Sequence, residues 1–177
     1  EKMKRKRHNF AKSMLKKPES FWYNVVFSDE TYICINLSNV MNRIRRFRNS
    51  DPLESQYLRP TVKFPLKLLV WGCFSSKGLG RIHISTSTMN SQRYLDVLNS
   101  KLKPSIESRE LAEPLHLDDS AFCHRIRPVK EWHVNNSIAR DNWLSNSPDL
   151  NPIENLWSIV KFKLRSRIIT RGIFFCT

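Results

Sequence analysis

The run Leu-Lys-Leu-Leu-Val-Trp-Gly-Cys-Phe, residues 66–74, constrains this chain more than any other stretch. So short an apolar run, closed by the turn string SSKGLG (75–80), reads as a buried strand, and RIHIS (81–85) reads as another behind it. A buried strand needs neighbours and cover. Upstream, WYNVVFSD (22–29) and TYICINL (31–37) are predicted as two strands meeting at a tight turn near Glu30. Downstream, Tyr94, Leu95, Leu98 and Leu102 recur at helical spacing across 90–107. PLHLDD (114–119) is a short strand ending on acids, and RPVKEWHV (127–134) begins a helix with Pro128 near its first turn. A final helix is expected from about Asn151–Pro152 to Ile168. At the front, residues 2–17 form an amphipathic helical pattern with Met3, Phe10, Met14 and Leu15 on one side, broken by KPES. Residues 38–66 are irregular, basic and proline-punctuated, as in a long loop or insertion. Strands first, then alternating helix and strand, with a helix last, predict an α/β fold with a mixed sheet flanked by helices.

Charge narrows the partners. The 177 residues carry a net charge of +14, and most of it lies in three places. Eight Lys and Arg fall within residues 1–17, four more are Arg43, Arg45, Arg46 and Arg48, and five fall within 161–177. The body between is close to neutral and holds nearly all the acids. Basic patches framing a neutral body point to a polyanionic partner, nucleic acid before an acidic membrane surface. No apolar run is long enough for a membrane span, and no signal-peptide core follows the charged start. Four scattered cysteines without a CxxC pair argue against a structural zinc site and a disulfide framework.

The isolated acids fall at the ends of predicted elements. Asp29 closes the first strand, Asp119 closes a later one, and Glu154 sits in the first turn of the last helix, behind the rigid approach SPDLNP. Each has a plain explanation by itself: a polar turn, a helix cap, a favourable charge at a helix start. Brought together, three carboxylates repel unless a cation neutralises them, and oxygen donors of this kind suit Mg²⁺ or Mn²⁺. Two such ions can activate a water or a 3′-hydroxyl against a phosphodiester.

FSDE (27–30), then LDDSAFCH (117–124), then SPDLNPIENLW (147–157) resemble the catalytic core of the Tc/mariner superfamily of cut-and-paste transposases, nematode-type branch. LLVWGCFSSKGLG and KPESFWYNVVFSDE resemble further segments of that core, so the likeness runs from about residue 2 to 168. It implies an RNase H-like DDE catalytic domain over 21–168, a basic lead-in helix over 1–20 and an irregular tail over 169–177. The triad carried over is Asp29, Asp119 and Glu154, as catalytic residues and as metal ligands for Mg²⁺ or Mn²⁺. Asp118 competes with Asp119 for the second place. His124 lies five positions after Asp119, and thirty-four residues separate Asp119 from Glu154, both as the family has them.

The resemblance further implies DNA strand cleavage and strand transfer in the nucleus, on transposon ends and target DNA, with a homodimer open to it and no membrane. Lys4, Arg5, Arg7, Arg43, Arg45, Arg46, Arg48, Lys161 and Lys163 are the expected phosphate contacts. The chain departs from the pattern in several places. Ser120 stands where relatives have Asn, the proline that relatives carry before the histidine is missing from the run Ser120-Ala121-Phe122-Cys123, and LSNVMNRIRRFRN replaces a glycine-bearing hairpin. Paired DNA-reading domains do not precede the first helix, so an N-terminally truncated copy is expected. The alternative is a catalytically inactive, decayed or co-opted DNA-binding remnant of a transposase.

Overall fold

The structure is a computed structural model describing residues 2–34, 45–51, 53, 54, 57, 66–119, 121–141, 144 and 147–171. Arg43, Ser120, the tail from 172 onward and much of the basic loop lie outside these. The chain begins with α1 (Lys2–Leu15), α2 (Glu19–Tyr23) and β1 (Val25–Cys34). Then come β2 (Lys67–Ser75), β3 (Gly78–Leu79), β4 (His83–Ser85), α3 (Ser91–Val97) and α4 (Lys103–Ser108). It closes with β5 (Leu115–Leu117), α5 (Arg127–Asn135), β6 (Ala139–Arg140) and α6 (Ile153–Arg171). The strands form one mixed sheet in the order β3-β2-β1-β5-β6, with β4 also on β2. β1 runs antiparallel to β2 and parallel to β5, and β5 runs parallel to β6.

The tight turn expected near Glu30 is absent: β1 is a single strand of ten residues. Its pairing with β2 is unbroken from Val26↔Ser75 to Cys34↔Lys67. The acids sit inside that strand because alternation sends them to opposite faces, Asp29 into a cleft and Glu30 toward a histidine. Asp29 therefore does not end its strand, as the sequence suggests; it lies where β1 loses its parallel neighbour. The helical pattern over 90–107 is interrupted by a π-helical turn at Leu98–Leu102, where the Lys103 N–H reaches back to the Leu98 carbonyl. Pro104 explains it: a proline cannot donate to the fourth carbonyl before it, and the widened turn makes room for its ring. β6 has only two residues, too few for a sequence pattern, and exists through its pairing with β5. Of the apolar side expected on α1, only Phe10 and Met14 pack, while Met3 and Leu15 are exposed. The final helix extends three residues past the expected end at Ile168, to Arg171.

Each face of the sheet has its own cover. Val26, Trp71 and Cys73 on one face pack with Tyr94, Val97, Leu98, Leu102, Ile106 and Trp132 from the α3–α4 and α5 side. On the opposite face, Val70 meets Ile153 and Trp157 of α6, and Val25 with Leu117 meets the α1–α2 side. Gly72 makes the α6 contact close. A methyl group there would sit 2.9 Å from the Trp157 ring, and Gly72 pairs directly with Asp29. Gly72→Ala is expected to push the buried indole and α6 outward at a cost of about 1–3 kcal/mol. Urea unfolding of the purified variant checks this; an unchanged midpoint would show that the ring has room to spare.

Candidate active site

The parallel pairing of β1 and β5 ends at Phe27↔Leu117, after three residue pairs. Beyond it the two chains separate, and a gap opens at the carboxyl end of the parallel strands, the usual ligand position in open sheets. Asp29 and Asp119 each lie two residues past that last pair, so by alternation Asp29 keeps to the α6 side of the sheet. From that side α6 brings Glu154 in its first turn. Asn151 fixes the approach. Its Nδ2 donates to the Ser28 carbonyl (3.3 Å), its Oδ1 accepts from Ile153 N–H (3.3 Å), and its carbonyl accepts from Glu154 N–H (3.1 Å). One buried side chain thus caps the helix and ties its start to the strand residue beside Asp29. Asp29, Asp119 and Glu154 line a single cleft of about 190 Å³, with Leu144, Ser147, Pro148 and Asn151 as its other walls.

Its electrostatics are those of an anionic cleft. Asp29 is pushed up to about 7, first by burial and then by the negative charges of Glu30, Glu154 and Asp119. Asp119 is held below the ordinary carboxylate value: burial opposes ionisation, but His124 and the Ala121 N–H outweigh it. His124 is itself 2% exposed, with Nδ1 2.9 Å from Asp119 and Nε2 3.5 Å from Glu30. Burial draws its pKa down, yet those carboxylates prevail and raise it to about 10. The three residues also have the spacing of a metal-ligand group. With both ring nitrogens turned toward carboxylates, the imidazolium acts there as an internal counter-ion.

Asp118 and Asp119 have parted company. Asp118 is 2% exposed, accepting from Arg140 (2.7 Å) and from the Tyr94 hydroxyl (3.1 Å) on the far side of the sheet. Its pKa falls to about 2, because His116, Arg140 and His124 overcome the effect of burial. Beneath the site runs a second buried chain: Ser28 Oγ to His116 Nε2 (2.7 Å), His116 Nδ1 to His133 Nε2 (3.0 Å), and His133 Nδ1 to the Val129 carbonyl (2.8 Å). A carbonyl only accepts, so His133 donates from Nδ1, His116 donates from Nδ1, and the Ser28 hydroxyl donates to His116 Nε2. Both rings are neutral, His116 being lowered to about 3 chiefly by burial and His133 lowered for the same first cause. The chain joins β1, β5 and α5 just where backbone pairing stops.

The expected phosphate contacts are placed unequally. Lys4 and Arg5 lie on exposed positions of α1, Arg45, Arg46 and Arg48 are exposed, Lys163 is exposed on α6 and Lys161 is half-buried there. Arg7 is engaged: its guanidinium donates to Ser147 (2.9 Å) and pairs with both oxygens of Asp149, which seats α1 against the cleft wall. Arg140 and the two inner histidines carry no pattern in the sequence, since each is defined by a partner far along the chain. Asn151 had one legible signal, its place before Pro152 at a helix start.

No family model matches the chain. Among curated proteins it is similar to the transposase of transposable element Tcb1 from Caenorhabditis briggsae, 30% identical over 165 residues, covering 93% of this chain and 60% of that protein. The Tcb2 transposase of the same organism is 32% identical over 145 residues, covering 81% and 53%. The Tc3 transposase of Caenorhabditis elegans is 30% identical over 160 residues, covering 89% and 46%. The chain thus spans about half to six-tenths of these relatives. Among solved structures, a Mos1 transposase paired-end complex with left transposon end superposes with a TM-score of 0.74 at 22% identity, covering 93% of this chain and 49% of that one. The catalytic domain of Mos1 mariner transposase gives 0.62 at 20% identity, covering 92% and 71%. At such identities the likeness is one of fold, and it bears out the expected RNase H-like mixed sheet flanked by helices.

Proposed function

We propose that this homologue of the Tc/mariner transposase catalytic domain cleaves and rejoins DNA strands through Asp29, Asp119 and Glu154, with Mg²⁺ or Mn²⁺ held between them. The observation that carries the proposal is the single cleft those three acids line, each delivered by a different element. The donor set fits a hard divalent cation: all three are carboxylates, and Asp29 is raised to about 7 by burial first and then by the crowding of negative charge. Solved Mos1 paired-end complexes are described with Mn and with Mg, which supports the same class of ion here.

When bound, such an ion supplies charge neutralisation and an activated water or 3′-hydroxyl at a phosphodiester. The chain's own residues do the rest. Asn151 sets Glu154 against β1, His124 and the Ala121 N–H orient the Asp119 carboxylate, and Pro148 and Leu144 narrow the cleft. Exposed cations on α1, on the 45–48 segment and on α6 would hold the DNA backbone on either side. Arg7 belongs to the cleft wall in this reading, and contributes to DNA binding through the seat of α1. Transposon ends and target DNA are the proposed substrates, a second copy of the chain a proposed partner, and the nucleus the proposed site of action. Among the described residues no helix is long and apolar enough to cross a membrane.

The experiment is nicking of supercoiled plasmid by the purified chain with Mg²⁺ or Mn²⁺, beside Asp119→Asn and Glu154→Gln. Metal-dependent nicking lost in both variants is the expected result. Absence of nicking, or nicking indifferent to both substitutions, would replace this reading with that of a DNA-holding remnant.

A further inference from the structure

We infer that Arg140, on the edge strand β6, is a positioning residue for Asp119, and that its planar fork sets how tightly the cleft holds a divalent cation. The inference rests on the metal-dependent reading above and concerns a residue outside the triad. Asp119 lies on a short connection whose two ends are Asp118 and His124. Arg140 fastens both: Nη2 donates to Asp118 Oδ1 at 2.7 Å, and Nη1 donates to the His124 carbonyl at 2.7 Å. Because the guanidinium is flat and its nitrogens have fixed separation, one side chain dictates the span between those ends. Pairing of His116 with Arg140 across β5 and β6 puts the fork in place from below.

Within the closed connection, the contacts among the described residues that orient Asp119 depend on that span. The His124 ring stacks on Tyr94 with centroids 3.8 Å apart, and the Tyr94 hydroxyl is itself bonded to Asp118. So held, His124 brings Nδ1 to 2.9 Å from Asp119 Oδ1, and the same oxygen accepts from Ala121 N–H at 2.9 Å. Both contacts fall on Oδ1, which leaves Oδ2 as the oxygen to meet a cation in the cleft. No proline stands between Asp119 and His124, so the stiffness of this connection has to come from elsewhere. Arg140 supplies it through space. Lysine would keep the charge beside Asp118, but with all its donors on one nitrogen it cannot reproduce the fixed span that the two guanidinium nitrogens set between those ends.

The test is Mn²⁺ binding to the full chain, followed by the electron paramagnetic resonance signal of the free ion, for the wild type, Glu154→Gln, Arg140→Lys and Arg140→Gln. Thermal unfolding of each is recorded, and binding is read below its own transition. Wild-type binding that Glu154→Gln weakens, together with a loss of about 10-fold or more in Arg140→Lys and in Arg140→Gln, is expected from the usual effect of residues that orient a ligand. Wild-type affinity in both Arg140 variants would overturn the inference, even if their melting points fell, because Arg140 would then only neutralise buried Asp118. A wild type whose Mn²⁺ binding is absent or indifferent to Glu154→Gln would instead remove the metal-dependent reading, and this inference with it.

Discussion

Asp29→Asn is expected to yield a protein that unfolds less readily than the wild type and no longer nicks DNA. The carboxyl's pKa is raised from 3.8 to about 7, so the fold favours its neutral form. For a group raised in this way, its contribution is fully present below pH 3.8 and is lost as pH rises through about 7. Above that, in the absence of a divalent cation, a charged Asp29 strains the fold by about 2–3 kcal/mol, a figure reduced for its partial exposure. Asparagine keeps the shape and removes the charge. Urea unfolding without metal should give equal stabilities at pH 4 and a gap of that size in favour of the variant at pH 8. Millimolar Mn²⁺ should then stabilise the wild type, by about 2.7 kcal/mol at a hundred times the dissociation constant, and leave the variant where it was. Nicking should fall by roughly 10³-fold or more, as about 4 kcal/mol of barrier stabilisation is removed. A variant less stable than the wild type at pH 8 would mean that Asp29 has a stabilising partner and the cleft is not overcharged.

The second large effect is acid sensitivity from the buried histidines, and Asp29 conceals it. His116 is lowered from 6.5 to about 3. Its neutral form contributes stability that is present above pH 6.5 and lost as pH falls through about 3, and the lowering of His133 acts in the same direction. The shift on His116 corresponds to about 4–5 kcal/mol across that window. Asp29 works in the opposite sense over nearly the same range, so the metal-free wild type should show a shallow pH dependence between 4 and 7. In Asp29→Asn the histidine effect stands alone, and stability should fall by several kcal/mol from pH 7 to pH 4. His116→Gln in that background should flatten the profile. If Asp29→Asn is as flat as the wild type, the Ser28–His116–His133 chain accepts protons without opening, contrary to what its geometry requires.

These residues show where a sequence is legible and where it is not. A continuous apolar run revealed β2, and proline-marked helix starts revealed α5 and α6, because those signals are local to the chain. Local propensity alone divides β1 in two, because Ser-Asp-Glu looks like a turn. What keeps it extended is β2, some forty residues later, together with separate destinations for Asp29 and Glu30 on opposite faces. The three acids of the cleft were legible as a set through the string around each. Arg140 was not, since its meaning lies in Asp118 and His124, and the strand that carries it is two residues long. The Ser28, His116 and His133 chain was hidden for the same reason: each member looks ordinary until its partner is known.

The order of strands in the sheet has a consequence for how the protein is made. β1 is translated before its parallel partner β5 and the helix that completes the cleft, which lie about ninety and one hundred and thirty residues later. A chain still on the ribosome can pair β1 with β2, but it has no β5 to define the gap and no α6 to close it. The three acids therefore meet only once α6 has been made, by contacts of long sequence separation that form slowly. Of the described fold, the cleft is the part completed last.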